Sequence, residues 1–253
     1  MTKLTTEELK DIVLMIATPM YGGMCHSSYV STLLDIKHWA MVRWKINVQF
    51  NFVGNQSSIN HARNQLTEYF LNSESTHMLF LDADNAFPGE YLEDMLRSNL
   101  DVIGLACAKK TIDWDRVADV ARRNPDMVAD NLRDITSGNN VIFDDLKTDF
   151  RTPLEVQAVG TGVMLIKRSV FEKLRAAQGE SLAYRVDGYD LYEYFREGRT
   201  PQGDRLSEDY NFCKQWRDLG GLVHVMPYIP TIHEGQYRYE MNLPYQAMTM
   251  GRS

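Results

Sequence analysis

Asp82 and Asp84 close the stretch Met78-Leu79-Phe80-Leu81-Asp82-Ala83-Asp84-Asn85, in which four apolar residues run directly into two carboxylates separated by one alanine. The run has the composition of a buried strand, and alternation along a strand predicts that both acids face one spot. Carboxylate oxygens ligate Mg2+ and Mn2+, ions that bind through one or two carboxylates together with the phosphates of a substrate. The pair therefore points to a metal–diphosphate site. Most isolated Asp-x-Asp triplets simply end a strand in solvent, so residues elsewhere in the chain must decide between the two readings.

Glu208 and Asp209 stand in the first turn of a helix predicted from Ser207, which carries Phe212, Cys213, Trp216 and Leu219 on one face and ends at Gly220-Gly221. The helix dipole alone favours acids there, by roughly 0.3–1 kcal/mol each. A carboxylate so placed also has the chemistry to deprotonate a hydroxyl nucleophile. His233, in Ile232-His233-Glu234-Gly235, offers a neutral imidazole as a third metal ligand beside the acid pair. A lone histidine is more often structural, and His61 and His224 read as packing or surface residues.

The elements that must position these groups alternate along the chain. Ile12 to Ala17 reads as a buried first strand running into Thr18-Pro19-Met20-Tyr21 and Gly22-Gly23, a loop suited to facing a ligand. Ser27 to Trp44 has helical spacing, Ile46 to Val53 is a second strand, and Ser57 or Ser58 caps a helix that buries Ile59, Ala62, Leu66, Tyr69 and Phe70. The strand with the acid pair follows, then a short helix from Pro88 to Ser98 and a strand from Asp101 to Ala108. Such alternation predicts a mainly parallel sheet covered on both faces, with ligands at the carboxyl ends of its strands.

Lys109 to Pro153 breaks the pattern as an excursion with one amphipathic helix, Trp114 to Arg123. Val156 to Ile166 returns as a strand, in which Gly160-Thr161-Gly162 permits close backbone approach of a ligand or neighbour; these three are assigned to the acceptor. Arg168 to Ala177 is a helix, Tyr184 to Arg205 a mobile surface loop, and Leu222 to Met226 the last strand.

The chain has 253 residues, 44% of them hydrophobic, which suffices for one large α/β domain or two small ones. Three widely spaced cysteines without a CxxC suggest neither a disulfide framework nor a zinc site. Met1 to Lys10 is polar and charged, and no apolar run approaches the ~20 residues that span a bilayer, so a cytoplasmic protein without a membrane span is expected. A net charge of −7 without a basic block argues against a non-specific polyanion binder.

Taken in order, the apolar strand with Asp82-Ala83-Asp84, Gly160-Thr161-Gly162-Val163-Met164-Leu165-Ile166, Leu206-Ser207-Glu208-Asp209-Tyr210-Asn211-Phe212-Cys213 and Ile232-His233-Glu234-Gly235 resemble nucleotide-sugar glycosyltransferases of the glycosyltransferase-A fold, in particular family-two-like enzymes of viruses and bacteria. The resemblance covers about Ile12 to Tyr239. It implies a single α/β domain with a central mainly parallel sheet flanked by helices, divided into a Rossmann-like donor-binding half (12–108), the excursion (109–153) and an acceptor or catalytic half (154–239). It further implies that Asp82 and Asp84 hold Mn2+ or Mg2+ on the donor diphosphate and that His233 completes the metal ligands. The loop Thr18, Pro19, Met20 and Tyr21 would hold the nucleoside, and Arg63 and Asn64 would bind donor. Asp209 of the Glu208-Asp209 pair would act as base. The donor is expected to be a nucleoside-diphosphate sugar, UDP by default, and the acceptor a glycan, a protein or a hydroxymethylated base of phage DNA.

Two other classes compete. Phosphohydrolases of the haloacid-dehalogenase type also use an apolar strand ending in Asp-x-Asp, with the first aspartate as nucleophile, but here Ala86 replaces the usual Thr or Val and the motif lies far from the start of the chain. A non-catalytic nucleotide-sugar-binding protein is the other. A nicotinamide site is disfavoured, because the first strand leads to Thr18-Pro19-Met20-Tyr21-Gly22-Gly23 and not to GxGxxG.

Overall fold

The computed structural model describes residues 3–144, 149–186, 188–235 and 238–250. Parts of the expected excursion (145–148), loop (187) and catalytic half (236–237) lie outside the described residues. Seven strands form the central sheet: β1 (Val13–Met20), β2 (Asn47–Gly54), β3 (His77–Leu81), β4 (Val102–Leu105), β5 (Leu154–Val156), β6 (Val163–Lys167) and β7 (Val223–Met226). Their order is β2-β1-β3-β6-β4-β7-β5. Strands β1, β2, β3, β4 and β7 share one direction, whereas β6 and β5 run antiparallel to their neighbours.

These strands read as unbroken apolar runs because both faces of the sheet are covered. Met15, Ala17, Met78, Phe80, Met164 and Ile166 point to one face, where they meet α2 (Ile59–Leu71), α5 (Arg168–Gln178) and α6 (Glu208–Asp218). Leu14, Ile16, Leu79, Leu81, Val163 and Leu165 point to the other, under α1 (Ser27–Trp39) and α3 (Leu92–Arg97). The expected single α/β domain with a mainly parallel sheet flanked by helices is what is found. Among the described residues no helix is long and apolar enough to cross a membrane.

Two stretches depart from the sequence expectation. Val156 to Ile166 is not one strand: β5 ends at Val156, Ala158–Val159 pairs with Val141–Ile142, and β6 begins at Val163 after a corner at Gly160-Thr161-Gly162. A methyl group added to Gly160 would lie 2.5 Å from the Asn140 side chain, and one on Gly162 would lie 3.2 Å from that of Asn85, so both corners are glycine for close approach by side chains. Tyr184 to Arg205 is not simply a surface loop. It contains the hairpin Ala183–Val186/Tyr189–Tyr192 and the hairpin Gly198–Arg199/Arg205–Leu206. Between them Tyr194 and Phe195 are fully buried, Phe195 stacked on Phe212 at 4.7 Å. Two aromatic side chains of that size contribute enough buried apolar area to outweigh the polar composition around them.

The helix α4 (Trp114–Arg123) of the excursion forms as its spacing predicts, capped by Asp113. The carboxyl ends of β1, β3, β4 and β7 lie at one edge of the sheet, and the chain leaving each of the last three contributes to the site there.

Candidate active site

Strand β3 ends at Leu81, one residue before the acids, so strand alternation does not govern them. Asp82 to Asn85 instead form a turn, closed by the Asn85 amide donating to the Asp82 carbonyl at 2.9 Å. The chain then enters the short strand Asn85–Ala86, which pairs antiparallel with Thr231–Glu234. The turn sends the two carboxylates to different partners.

Asp82 turns towards α2, where Arg63 Nη2 donates to both its oxygens at 3.1 and 3.3 Å. The other arm of the same guanidinium, Nη1, donates to Glu208 Oε1 at the start of α6. Arg63 is only 4% exposed, so it is a buried bracket between the two acidic motifs. Burial pushes the Asp82 carboxyl above the ordinary aspartate value against the pull of Arg63, and burial likewise raises Glu208.

Asp84 turns to the opposite side. Its Oδ1 accepts from Asn85 Nδ2 at 3.1 Å and lies 3.5 Å from His233 Nε2, while Lys110 Nζ donates to Oδ2. Burial works against its charge, but His233 and Lys110 together outweigh it and hold the Asp84 carboxyl well below the usual range. The other ring nitrogen of His233, Nδ1, lies 2.6 Å from the Ala108 carbonyl. That carbonyl can only accept, so Nδ1 carries the proton and Nε2 is the ring nitrogen that faces Asp84.

Among the described residues no three His, Cys, Asp or Glu side chains converge as metal ligands. A carboxylate oxygen and an imidazole nitrogen do meet at Asp84 and His233, and the Asn85 Oδ1 beside them is buried without a hydrogen-bond partner. The oxygens of this set are of the kind that Mn2+ and Mg2+ take, with further ligands from water and substrate phosphates, and the imidazole would be an additional nitrogen ligand. Asp82, expected to share that ion, lines the same cleft and is engaged by Arg63.

At the start of α6, Ser207 occupies the N-cap position, but its hydroxyl does not cap the helix as expected. It donates to Asp209 Oδ1, which also accepts from the Tyr210 amide at 2.8 Å. Asp209 Oδ2 lies 3.1 Å from where a Gly160 methyl would be, so a side chain at Gly160 would crowd that oxygen as well as Asn140. The expected acceptor residues Gly160 and Thr161 are themselves buried, with Thr161 Oγ1 unpartnered.

A cleft of about 510 Å3 adjoins the acid turn, lined by Pro19, Tyr21, Met24 and His26 as well as by Asp82 and Asp84. Of the predicted nucleoside loop, Pro19 and Tyr21 line it; Thr18 does not, because it is buried with its hydroxyl 2.6 Å from Tyr29 Oη. Met20 instead ends β1 and packs against the core. Asn64 is buried and turned to the backbone: its Oδ1 accepts from the Phe195 amide at 2.9 Å and its Nδ2 donates to the Phe195 carbonyl at 3.0 Å. It is a clamp for the buried aromatic segment. Sequence reasoning missed Lys110, the Ala108 carbonyl and the His26–Glu234 contact at 3.2 Å, none of which has a spacing signal, since each depends on loops brought together by the sheet.

No protein-family profile matches the chain, and no curated protein is similar to it in sequence. Among solved structures it is similar to A197 from STIV, with a TM-score of 0.48 and 15% identity over 91% of this chain and 95% of that one. It is also similar to S. aureus TarS 1–349 in complex with UDP-GlcNAc, with a TM-score of 0.43 and 13% identity, covering 85% of this chain and 56% of that one. A glycosyltransferase involved in the glycosylation of the major capsid of PBCV-1 is similar at a TM-score of 0.33 and 9% identity, over 67% of this chain and 68% of that one. Identities of this size speak to fold alone.

Proposed function

We propose that this chain is a glycosyltransferase that moves a sugar from a nucleoside-diphosphate sugar, UDP by default, to an acceptor hydroxyl of a glycan, a protein or a modified DNA base. The observation that carries the reading is the meeting of Asp84 with His233 beside a cleft, two residues beyond Asp82 of the Asp82–Arg63–Glu208 bracket. The guanidinium of Arg63 thereby links the turn that carries Asp84 to the helix start that carries Asp209, through their neighbours Asp82 and Glu208.

Asp84 and His233 are the residues that would hold Mn2+ or Mg2+, and such an ion when bound supplies positive charge for the leaving nucleoside diphosphate. Pro19, Tyr21 and Met24 offer the nucleoside a partly apolar wall. Asp209 is the base. With Oδ1 saturated by Ser207 and Tyr210, its Oδ2 accepts the acceptor's proton as the hydroxyl oxygen bonds to the anomeric carbon and the bond to the diphosphate oxygen breaks. Glu208, tied to Arg63, orients the bracket and takes no proton. Engagement of Asp82 by Arg63 favours this reading over the phosphohydrolase, whose nucleophilic aspartate must be free to attack phosphorus.

Thermal-shift measurements with nucleotide sugars, with and without Mn2+, test the proposal, because a ligand of the folded state raises apparent stability by mass action. A stabilisation by UDP-sugars that needs the divalent ion is expected. Stabilisation equal in excess chelator overturns the metal assignment, and a covalent phosphate on Asp82 overturns the reaction class.

A further inference from the structure

The excursion delivers a positive charge to the acid turn. Lys110 lies just beyond the carbonyl that sets the His233 tautomer, and its ammonium holds Asp84 Oδ2. The backbone around it is fixed. The Lys109 amide donates to the Gly138 carbonyl at 2.8 Å and the Ser137 hydroxyl donates to the Lys109 carbonyl. Ser137, 1% exposed, is pinned in turn through its own carbonyl by Arg116 of α4 at 3.1 Å and by Gln246 of the last helix at 2.8 Å. The side chain is not fixed: it is 37% exposed, on a four-carbon stem.

We propose that Lys110 is a tethered counter-cation that occupies Asp84 until a diphosphate arrives to take its ammonium, so that divalent-ion binding and donor binding are coupled through this one residue. The inference rests on the metal-dependent donor site proposed above. A divalent ion held by Asp84 and His233 would share the carboxylate on which the ammonium now lies, and like charges that close repel. Lys110 must therefore leave Asp84 when the ion enters. An incoming diphosphate is the anion that receives it in the adjoining cleft. Whatever favours that exchange for the donor favours it equally for the ion, because binding couplings are reciprocal.

Mn2+ binding followed by electron paramagnetic resonance, with and without UDP and against a protein-free UDP blank, tests this on the wild-type chain, Lys110→Met and Lys109→Met. A competitor that occupies a site in most molecules lowers apparent affinity by the free fraction, so Lys110→Met is expected to bind Mn2+ about three- to tenfold more tightly without UDP. UDP should strengthen Mn2+ binding in the wild type and much less so in Lys110→Met. Lys109→Met, which removes the same charge one residue away, should behave as wild type. Equal Mn2+ affinity of wild type and Lys110→Met without UDP overturns the inference alone, as does an undiminished UDP effect in the variant. An equal gain in Lys109→Met also overturns it, showing a general charge effect. Absence of Mn2+ binding in all three proteins, with UDP present, overturns the underlying metal site and the inference together.

Discussion

Asp82 and Asp84 leave a strand through a turn, whereas Glu208 and Asp209 open a helix, yet the first member of each pair meets the same guanidinium of Arg63. The second members diverge. Asp84 faces His233 and Lys110, and Asp209 faces Ser207 and the corner at Gly160. In each motif one acid is thus tied to Arg63 and the other is not. Environment sorts two neighbouring carboxylates into different roles, as it does wherever their pKa values are driven apart: burial raises Asp82 and Glu208, while Asp84 is held low by its cationic neighbours.

The largest break in that comparison is Asp84→Ala. It removes the carboxylate of the proposed cation site, so transfer should fall to background and UDP-dependent Mn2+ binding should vanish. Asp82→Ala should also be severe, but with Mn2+ binding partly kept, since its partner is Arg63 and not His233. Equal loss of Mn2+ binding in both variants would place both acids on the ion.

Next is Asp209→Asn, for which turnover should drop by about 10²–10⁴-fold while donor affinity stays nearly unchanged, because a base acts only when the hydroxyl attacks. Glu208→Gln should be milder. One preparation of each, measured for melting temperature, donor affinity and transfer rate, separates a base from a helix-terminal charge; normal turnover by Asp209→Asn with a modest loss of stability would leave Asp209 only its dipole role.

The bracket itself is broken by Arg63→Met. Removing one partner from a buried ionic network typically costs about 3–5 kcal/mol, because the remaining charges lose their compensation. Its sign with pH follows from the direction of the shifts. Without Arg63 the folded-state pKa values of Asp82 and Glu208 rise further above their unfolded values, so the folded state binds more protons and the penalty is full above those raised values. It should shrink as pH falls through them. Denaturant unfolding at pH 7 and pH 5 checks this, and a penalty that grows on acidification would refute it.

Much of this was legible in the sequence, and for identifiable reasons. Apolar runs such as Met78 to Leu81 and the spacing of α2 and α6 fix elements by burial, which composition reports directly. The order of the motifs gave the right edge of the sheet. Alternation does not place Asp82 and Asp84, because it applies only within a strand and β3 stops one residue before them; a turn brings both to the same cleft. Asn64 looked like a ligand residue because an amide that mimics a backbone pair, as it does to Phe195, has no sequence signature. Lys110 was invisible for the same reason: its partner is 26 residues away and meets it only through loop geometry.

The smallest effect tests how the helix-borne pair is held. Helix α6 is anchored by Asn211 Nδ2 donating to the Arg196 carbonyl and by Gln215 Nε2 donating to the Tyr194 carbonyl, both at 3.0 Å. Together with the Asn64 clamp, these fasten Tyr194 to Arg196 between α2 and α6. Among the described residues the tip Thr200 to Asp204 has no such anchor outside its own hairpin and closes through the Thr200 amide donating to the Asp204 carbonyl and the Gly203 amide to the Thr200 carbonyl. Hydrogen exchange reports local opening, which is easiest where backbone bonds are exposed and few apolar contacts must break. Amides of Phe195 and its neighbours should therefore exchange nearly as slowly as β3, while those at 200–204 exchange fast and slow modestly when donor and acceptor bind. The original expectation of one mobile loop from 184 to 205 predicts fast exchange throughout. Fast exchange at Phe195 would mean that the clamp opens readily, and the start of α6 with Glu208 and Asp209 would then be as adjustable as the turn that carries Asp82 and Asp84.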